Sequence, residues 1–161
     1  MSDITLEEEL RLGIKAHKEG NVQDANRHYS LILEAEPNHP EANHNMGILA
    51  AGVGKIEQSP SFFKRAIESR PSMIQSWCGL VEVLVKLHKI QDASNVLAQA
   101  FSVGLKSDQL DQLDRKLKKL KENLDFATYD KVRNALGLEP MRQAADKGAQ
   151  ITDNIRKNLG I

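Results

Sequence analysis

A single cysteine, Cys78, stands among 161 residues, so no intramolecular disulfide can form and the chain suits a reducing compartment. Aromatic residues make up only 4%, too few to wall a deep aromatic cavity. Lys and Arg number 22, as do Asp and Glu, so the formal charge is zero and no global field is available to hold a phosphate backbone. Nucleic acid is therefore disfavoured as a partner. No apolar run approaches the ~18 residues that a bilayer span needs, the longest candidates being broken by Gly52, Gly54 and Lys86. The N-terminus, MSDITLEEEL, is acidic and lacks the basic and apolar regions of a signal peptide. Together these absences point to a cytoplasmic protein, bacterial in style, with no membrane partner.

What is present is ordinary in amount and unusual in order. Hydrophobic residues are 40% and charged residues 27%, and a chain of this length buries roughly 70% of its unfolded surface in one domain. The stretch NMGILAAGVGKIEQSPSFFKRAIESRP, Asn45 to Pro71, repeats its pattern of small, aromatic and turn residues 34 positions away on either side. Gly13, Gly47 and Val81 share one phase, Gly20, Gly54 and His88 a second, Ala25, Ser59 and Ala93 a third. Tyr29, Phe63 and Leu97 share a fourth, and Pro37, Pro71 and Leu105 a fifth. A period near 34 residues predicts stacked helix pairs.

These residues resemble the tetratricopeptide repeat (TPR), whose unit is two antiparallel helices with small residues at fixed places and a terminal proline. Unit one, about residues 6–39, carries Leu12, Gly13, Gly20, Ala25, Tyr29 and Pro37. Unit two, 40–73, carries Met46, Gly47, Gly54, Phe63, Ala66 and Pro71; unit three, 74–107, carries Trp77, Leu80, Leu84, Ala93, Leu97 and Ala100. The resemblance implies an all-α fold: a right-handed α-solenoid of three antiparallel helix pairs over 1–106, then a capping helix and one or two further C-terminal helices. The physical reason is packing, because helices cross closely only where a side chain is missing and a large one fills the space beside it. The departures are Glu9 and Asn43 where unit three has Trp77, Ala16 and Ala50 where the family has a large residue, Ser59 for the small alanine, and Val81, His88 and Leu105 for the glycines and proline.

In chain order, Ser2 or Asp3 is expected to cap a first helix that runs to about Glu19, with Glu7, Glu8 and Glu9 near its positive end. A second is expected at about Val22 to Ala35, a third at Pro40 to Gly52, a fourth opening at Ser59 and Pro60, a fifth at Met73 to Leu87 and a sixth at Gln91 to Val103, stopped by Gly104. The fifth, apolar nearly all round, should be the best buried. Leu110, Leu113, Leu117, Leu120 and Leu124 form one apolar stripe on a seventh helix over 107–124, read as the solvating cap of the stack. The same stripe is also short coiled-coil spacing, which leaves homodimerisation open. In the extension over 125–161, Phe126, Tyr129, Val132 and Leu136 predict a short helix ending at Gly137. Met141, Ala145, Gly148, Ile151, Ile155 and Leu159 then predict a sparse last one.

No catalytic constellation emerges. GVGK at 52–55 lacks the spacing, the Ser or Thr and the preceding strand of a phosphate loop, and is a turn. His39 and His44 have no carboxylate or cysteine partner at ligand spacing, so they are taken as solvated or groove-facing and no metal or other cofactor is expected. Cys78 and His44 share a repeat phase, but without an activating cation the cysteine is packing and the protein is not an enzyme.

The resemblance implies instead that a peptide or partner helix lies on the concave surface made by the first helix of each unit. The residues expected there are Leu10, Ile14 and His17, then His44, Asn45, Ile48 and Ala51, then Cys78, Glu82 and Val85. The subfamily that grips a chaperone's C-terminal carboxylate uses lysines, an arginine and asparagines, whereas this chain has Leu10, Ile14, Gln75 and Gly79 at those phases and only Asn45 agrees. An apolar ligand segment on a scaffold or adaptor is therefore expected. Two other roles fit the resemblance: an N-terminal module or fragment of a larger bacterial glycosyltransferase, methyltransferase or sulfotransferase-type protein, and a structural protein self-assembling through its C-terminal helices.

Overall fold

The spacing of small residues produces a regular stack. The structure, a computed structural model, describes residues 5–135. The described residues form seven α-helices and no strand: α1 (Leu6–Lys18), α2 (Val22–Ala35), α3 (Pro40–Gly52), α4 (Ser59–Ser69), α5 (Ile74–Lys86), α6 (Ile90–Ser102) and α7 (Asp108–Ala135). They pack as antiparallel pairs, α1 on α2, α3 on α4 and α5 on α6, and each pair packs on the next through α2 against α3 and α4 against α5. First helices also touch one another, α1 to α3 and α3 to α5, so they share one face. α1, α3, α5 and α7 begin at Leu6, Pro40, Ile74 and Asp108, each 34 residues after the last. By contacts the chain divides into two units, Met1–Leu117 and Lys118–Ile161.

The pairs are held by small residues facing rings. A Cβ on Gly13 would lie 2.6 Å from Tyr29 Cε1, and one on Gly47 would meet the Phe63 ring at 3.1 Å. Both rings are buried to 1% exposure or less. In the third pair Val81 replaces the glycine and Leu97 replaces the ring, and both stay buried, so the larger first residue faces a smaller second one. Ser59 adds a bond to its close approach, its hydroxyl donating to the Gly47 carbonyl at 2.7 Å.

The phase occupied by Glu9, Asn43 and Trp77 closes the units in two ways. Asn43 Nδ2 donates to the Pro37 carbonyl at 2.9 Å and Trp77 Nε1 donates to the Pro71 carbonyl at 2.8 Å, so each ties its helix to the end of the preceding one. Glu9 turns instead to α2, where His28 Nδ1 lies 2.5 Å from its Oε2. The Arg27 guanidinium, 3.1 Å from His28 Nε2, can only donate, so Nε2 accepts and Nδ1–H donates to Glu9.

Three expectations are corrected. The N-cap of α1 is Thr5, whose hydroxyl accepts from Glu8 N at 3.2 Å, rather than Ser2 or Asp3. α7 runs through Asp125 to Ala135 with no second helix starting there, because neither Gly nor Pro occurs from Asp108 to Ala135 to stop it. The leucine stripe is also not uniform: Leu110, Leu113 and Leu117 are buried with the core of the third pair, whereas Leu124 is 55% exposed. The expected helix end at Leu136 and Gly137, and the segment from Met141 to Leu159, lie outside the described residues. α5 is the best-buried helix, with seven buried residues from Ser76 to Leu84.

Candidate functional site

The face shared by the first helices has one pronounced hollow, between α3 and α5. It is a cleft of about 440 Å³ lined by His44, Ile48, Ala51 and Gly52 of α3, Gln75, Cys78, Gly79, Glu82, Val83 and Lys86 of α5, the Phe63 ring from α4, and Gln109 at the start of α7. Ile48 is 42% exposed there, a large apolar side chain left facing solvent. The Phe63 ring fills the space left by the missing side chains of Gly47 and Gly79 and stays buried beneath the cleft.

Five of the ten expected residues meet in this cleft: His44, Ile48, Ala51, Cys78 and Glu82. The other five do not line it. Leu10 and Ile14 pack partly against the core of the first pair and α3, and Val85 against the core of the third. Ile14 also borders a separate shallow hollow with Arg11, Lys15 and Lys18. His17 sits edge-on to Tyr29, ring centroids 6.2 Å apart. Asn45 is half-buried outside the cleft. Gln75 and Gly79, which stand at the clamp phases, line it as well, together with Gly52, Phe63, Val83, Lys86 and Gln109, which the repeat phases do not place on that face.

His44 is held from two sides, its Nδ1 3.0 Å from Ser76 Oγ and its ring edge-on to Phe63 at 5.6 Å. Burial pushes its pKa below the ordinary value of 6.5, against a smaller opposing pull from Glu41, so a neutral ring faces the cleft. His39 is neither solvated nor on the groove: its Nδ1 accepts from Ala42 N at 3.2 Å and caps α3. Among the described residues no group of three or more His, Cys, Asp or Glu side chains is placed to hold a metal ion.

Cys78 is 2% exposed, and burial, aided by the Glu82 charge, pushes its thiol up to about 11. A thiol that stays protonated at neutral pH is no nucleophile, which removes the Cys78–His44 pairing as chemistry. The cleft lining thus combines apolar side chains with two uncharged amides, one acid and one base.

Two larger hollows, of about 620 and 470 Å³, lie among α4 to α6 and α2 to α4 respectively. Their linings match at the repeat interval, Gln23 with Glu57, Asn26 with Pro60, Ala50 with Leu84 and Lys55 with Lys89. A hollow that recurs with the repeat is a by-product of stacking. The α3–α5 cleft does not recur, because Asn45 and Leu113 occupy the phase of Gly79 on α3 and α7.

No family model and no curated protein matches the sequence. Solved structures do match the fold. The TPR domain of Sgt2 from Aspergillus fumigatus is 16% identical, with 74% of this chain and 81% of that chain covered at a TM-score of 0.67. The TPR domain of Arabidopsis OM64 is 12% identical, covering 71% and 94% at 0.63. The TPR2B domain of yeast Sti1, in complex with pHsp70, is 16% identical, covering 71% and 97% at 0.63. At such identities the likeness establishes the architecture, three TPR-type helix pairs followed by a further helix.

Proposed function

We propose that this chain, built as a stack of tetratricopeptide-type helix pairs, is a non-catalytic adaptor that binds a segment of another protein in the α3–α5 cleft. The observation that carries this is the half-exposed Ile48, a large apolar side chain left at the cleft on the face the first helices share. Similar folds support it: the Sti1 domain is described in complex with pHsp70, and the first TPR domain of Spaghetti (RPAP3) with the HSP90 peptide SRMEEVD. The partner here is an apolar segment, since Gln75 and Gly79 stand at phases where a carboxylate clamp needs cations. A protein partner rather than nucleic acid, in a cytoplasmic setting, is supported by the balance of 22 basic and 22 acidic residues and by the lone, buried cysteine.

The test is backbone amide chemical-shift mapping of the intact chain with peptides selected on it from a random library. Shifts concentrated at Ile48, Ala51, Gly79 and Glu82 support the assignment. Shifts concentrated on α2, α4 and α6 refute it.

A second reading, self-association through α7, is favoured by the exposure of Leu124, 55%, in a helix whose other leucines are at least partly covered.

A further inference from the structure

Ser76 is a hydroxyl where the stack otherwise buries carbon. It is 0% exposed, and the same phase holds Ala42 on α3 and Leu110 on α7, both equally buried. A hydroxyl taken out of water costs free energy unless it is bonded, so a serine there calls for a reason. Its oxygen has two polar neighbours: Met73 Sδ at 3.0 Å and, on the next first helix, His44 Nδ1 at 3.0 Å.

The proton positions follow from what each atom can do. A thioether has no proton and only accepts. An oxygen and a sulfur this close need a proton between them, since otherwise their lone pairs face each other, so the one hydroxyl proton of Ser76 points at Met73. Oγ is then the acceptor toward the ring, and the proton of that second bond belongs to Nδ1. Burial keeps the imidazole neutral, so it has one N–H and Nε2 is bare. Among the described residues, Asn43 Oδ1 is the one buried side-chain nitrogen or oxygen without a partner. Nε2 of the half-buried His44 has no partner either and is not among the buried atoms, so it is open to solvent, at the cleft that His44 lines.

We infer that Ser76 is a positioning residue: it fixes His44 as the Nδ1–H tautomer and so presents a bare Nε2, a hydrogen-bond acceptor, at the α3–α5 cleft. The use of that acceptor rests on the proposed binding function and narrows its ligand. The group of a partner segment that meets this ring is a donor, such as a backbone N–H, an amide or a hydroxyl, whereas a carbonyl would face a lone pair. Ser76 and Met73, neither of which lines the cleft, thus set the polarity of one of its walls.

The experiment is long-range proton–nitrogen correlation of the intact, nitrogen-15-labelled chain at about pH 7.5, where an imidazole of lowered pKa is neutral. His44→Gln identifies the signals by their loss. Nδ1 is expected in the shift range of a protonated ring nitrogen and Nε2 in that of a bare one. Met73→Leu keeps the bulk but removes the sulfur, freeing the hydroxyl to donate to Nδ1, and is expected to move the tautomer ratio at least about threefold toward Nε2–H, the scale of one net hydrogen bond. Ser76→Ala is expected to release the ring to a mixture. The reverse pattern in the original chain overturns the inference and leaves the cleft as the site. A ratio unchanged in Met73→Leu and Ser76→Ala also overturns it, since other surroundings would then hold the ring. The tautomer is read on the free chain, so its failure is distinct from that of the binding reading, which the peptide shift mapping decides.

Discussion

Phe63 and Gly79 lie on neighbouring pairs, and the ring of one occupies the space where the other would carry a methyl group, Cε1 to the missing Cβ 2.6 Å. The ring, 1% exposed, thereby joins the second pair to the third beneath the cleft. Gly79→Ala is expected to push the ring aside and lower stability by about 1–3 kcal/mol. Adding Phe63→Leu to that variant should restore part of the loss, a non-additivity that denaturant unfolding of the two singles and the double would read. An unchanged midpoint in Gly79→Ala would show that the ring has room to move.

His88 is the single described non-glycine residue with positive φ, 59°, at the phase where Gly20 and Gly54 have 76° and 82°. Its side chain is exposed, so little packing is lost by removing it. Left-handed backbone costs an L-residue about 1–2 kcal/mol, and the added freedom of an unfolded glycine offsets part of the relief. His88→Gly is expected to gain about 0.5–1 kcal/mol, a rise in Tm of roughly 1–4 °C by calorimetry. A fall would place an unseen contact on the imidazole.

His44 makes stability depend on pH. Burial holds its folded pKa below 6.5, so the unfolded chain takes up a proton more readily, and stability falls as pH drops from about that value. His44→Gln removes this proton uptake. Thermal unfolding between pH 7.5 and 5.5 is expected to show a smaller decline in the variant than in the original chain; equal declines would contradict a buried neutral imidazole.

The leucines of α7 divide by environment. Leu110 is fully buried with the third pair, and Leu110→Ala is expected to cost about 2–5 kcal/mol. Leu124, 55% exposed, should tolerate Leu124→Glu within about 0.5 kcal/mol in the monomer. Sedimentation separates the two functional readings of this helix. A mass that falls by half on Leu124→Glu supports self-association, and a monomer throughout removes it.

The stacking was legible because it is written in absences that recur. Gly13 against Tyr29 and Gly47 against Phe63 follow from spacing alone, and so do the bounds of α2 and α3. The cleft was half legible. A repeat phase says which face a residue is on, and so put His44, Ile48 and Cys78 on the first-helix face, but not which stretch of that face stays open. That is set by how neighbouring pairs pack, which local spacing does not state. The Glu9–His28 bond spans 19 residues and joins two phases that are apolar or amide elsewhere, so no local pattern marked it. The seventh helix was ended too early because its leucine stripe stopped at Leu124, although backbone hydrogen bonding needs no stripe to continue.

The most direct measurement compares two aspartates introduced at equally exposed apolar sites on opposite kinds of helix: Ile48 of α3, 42% exposed, and Leu31 of α2, 40%. Against peptides selected on the intact chain, Ile48→Asp is expected to lower affinity by at least about tenfold and Leu31→Asp to leave it within about twofold. The reverse order, or equal affinity in both, would contradict a binding cleft between α3 and α5.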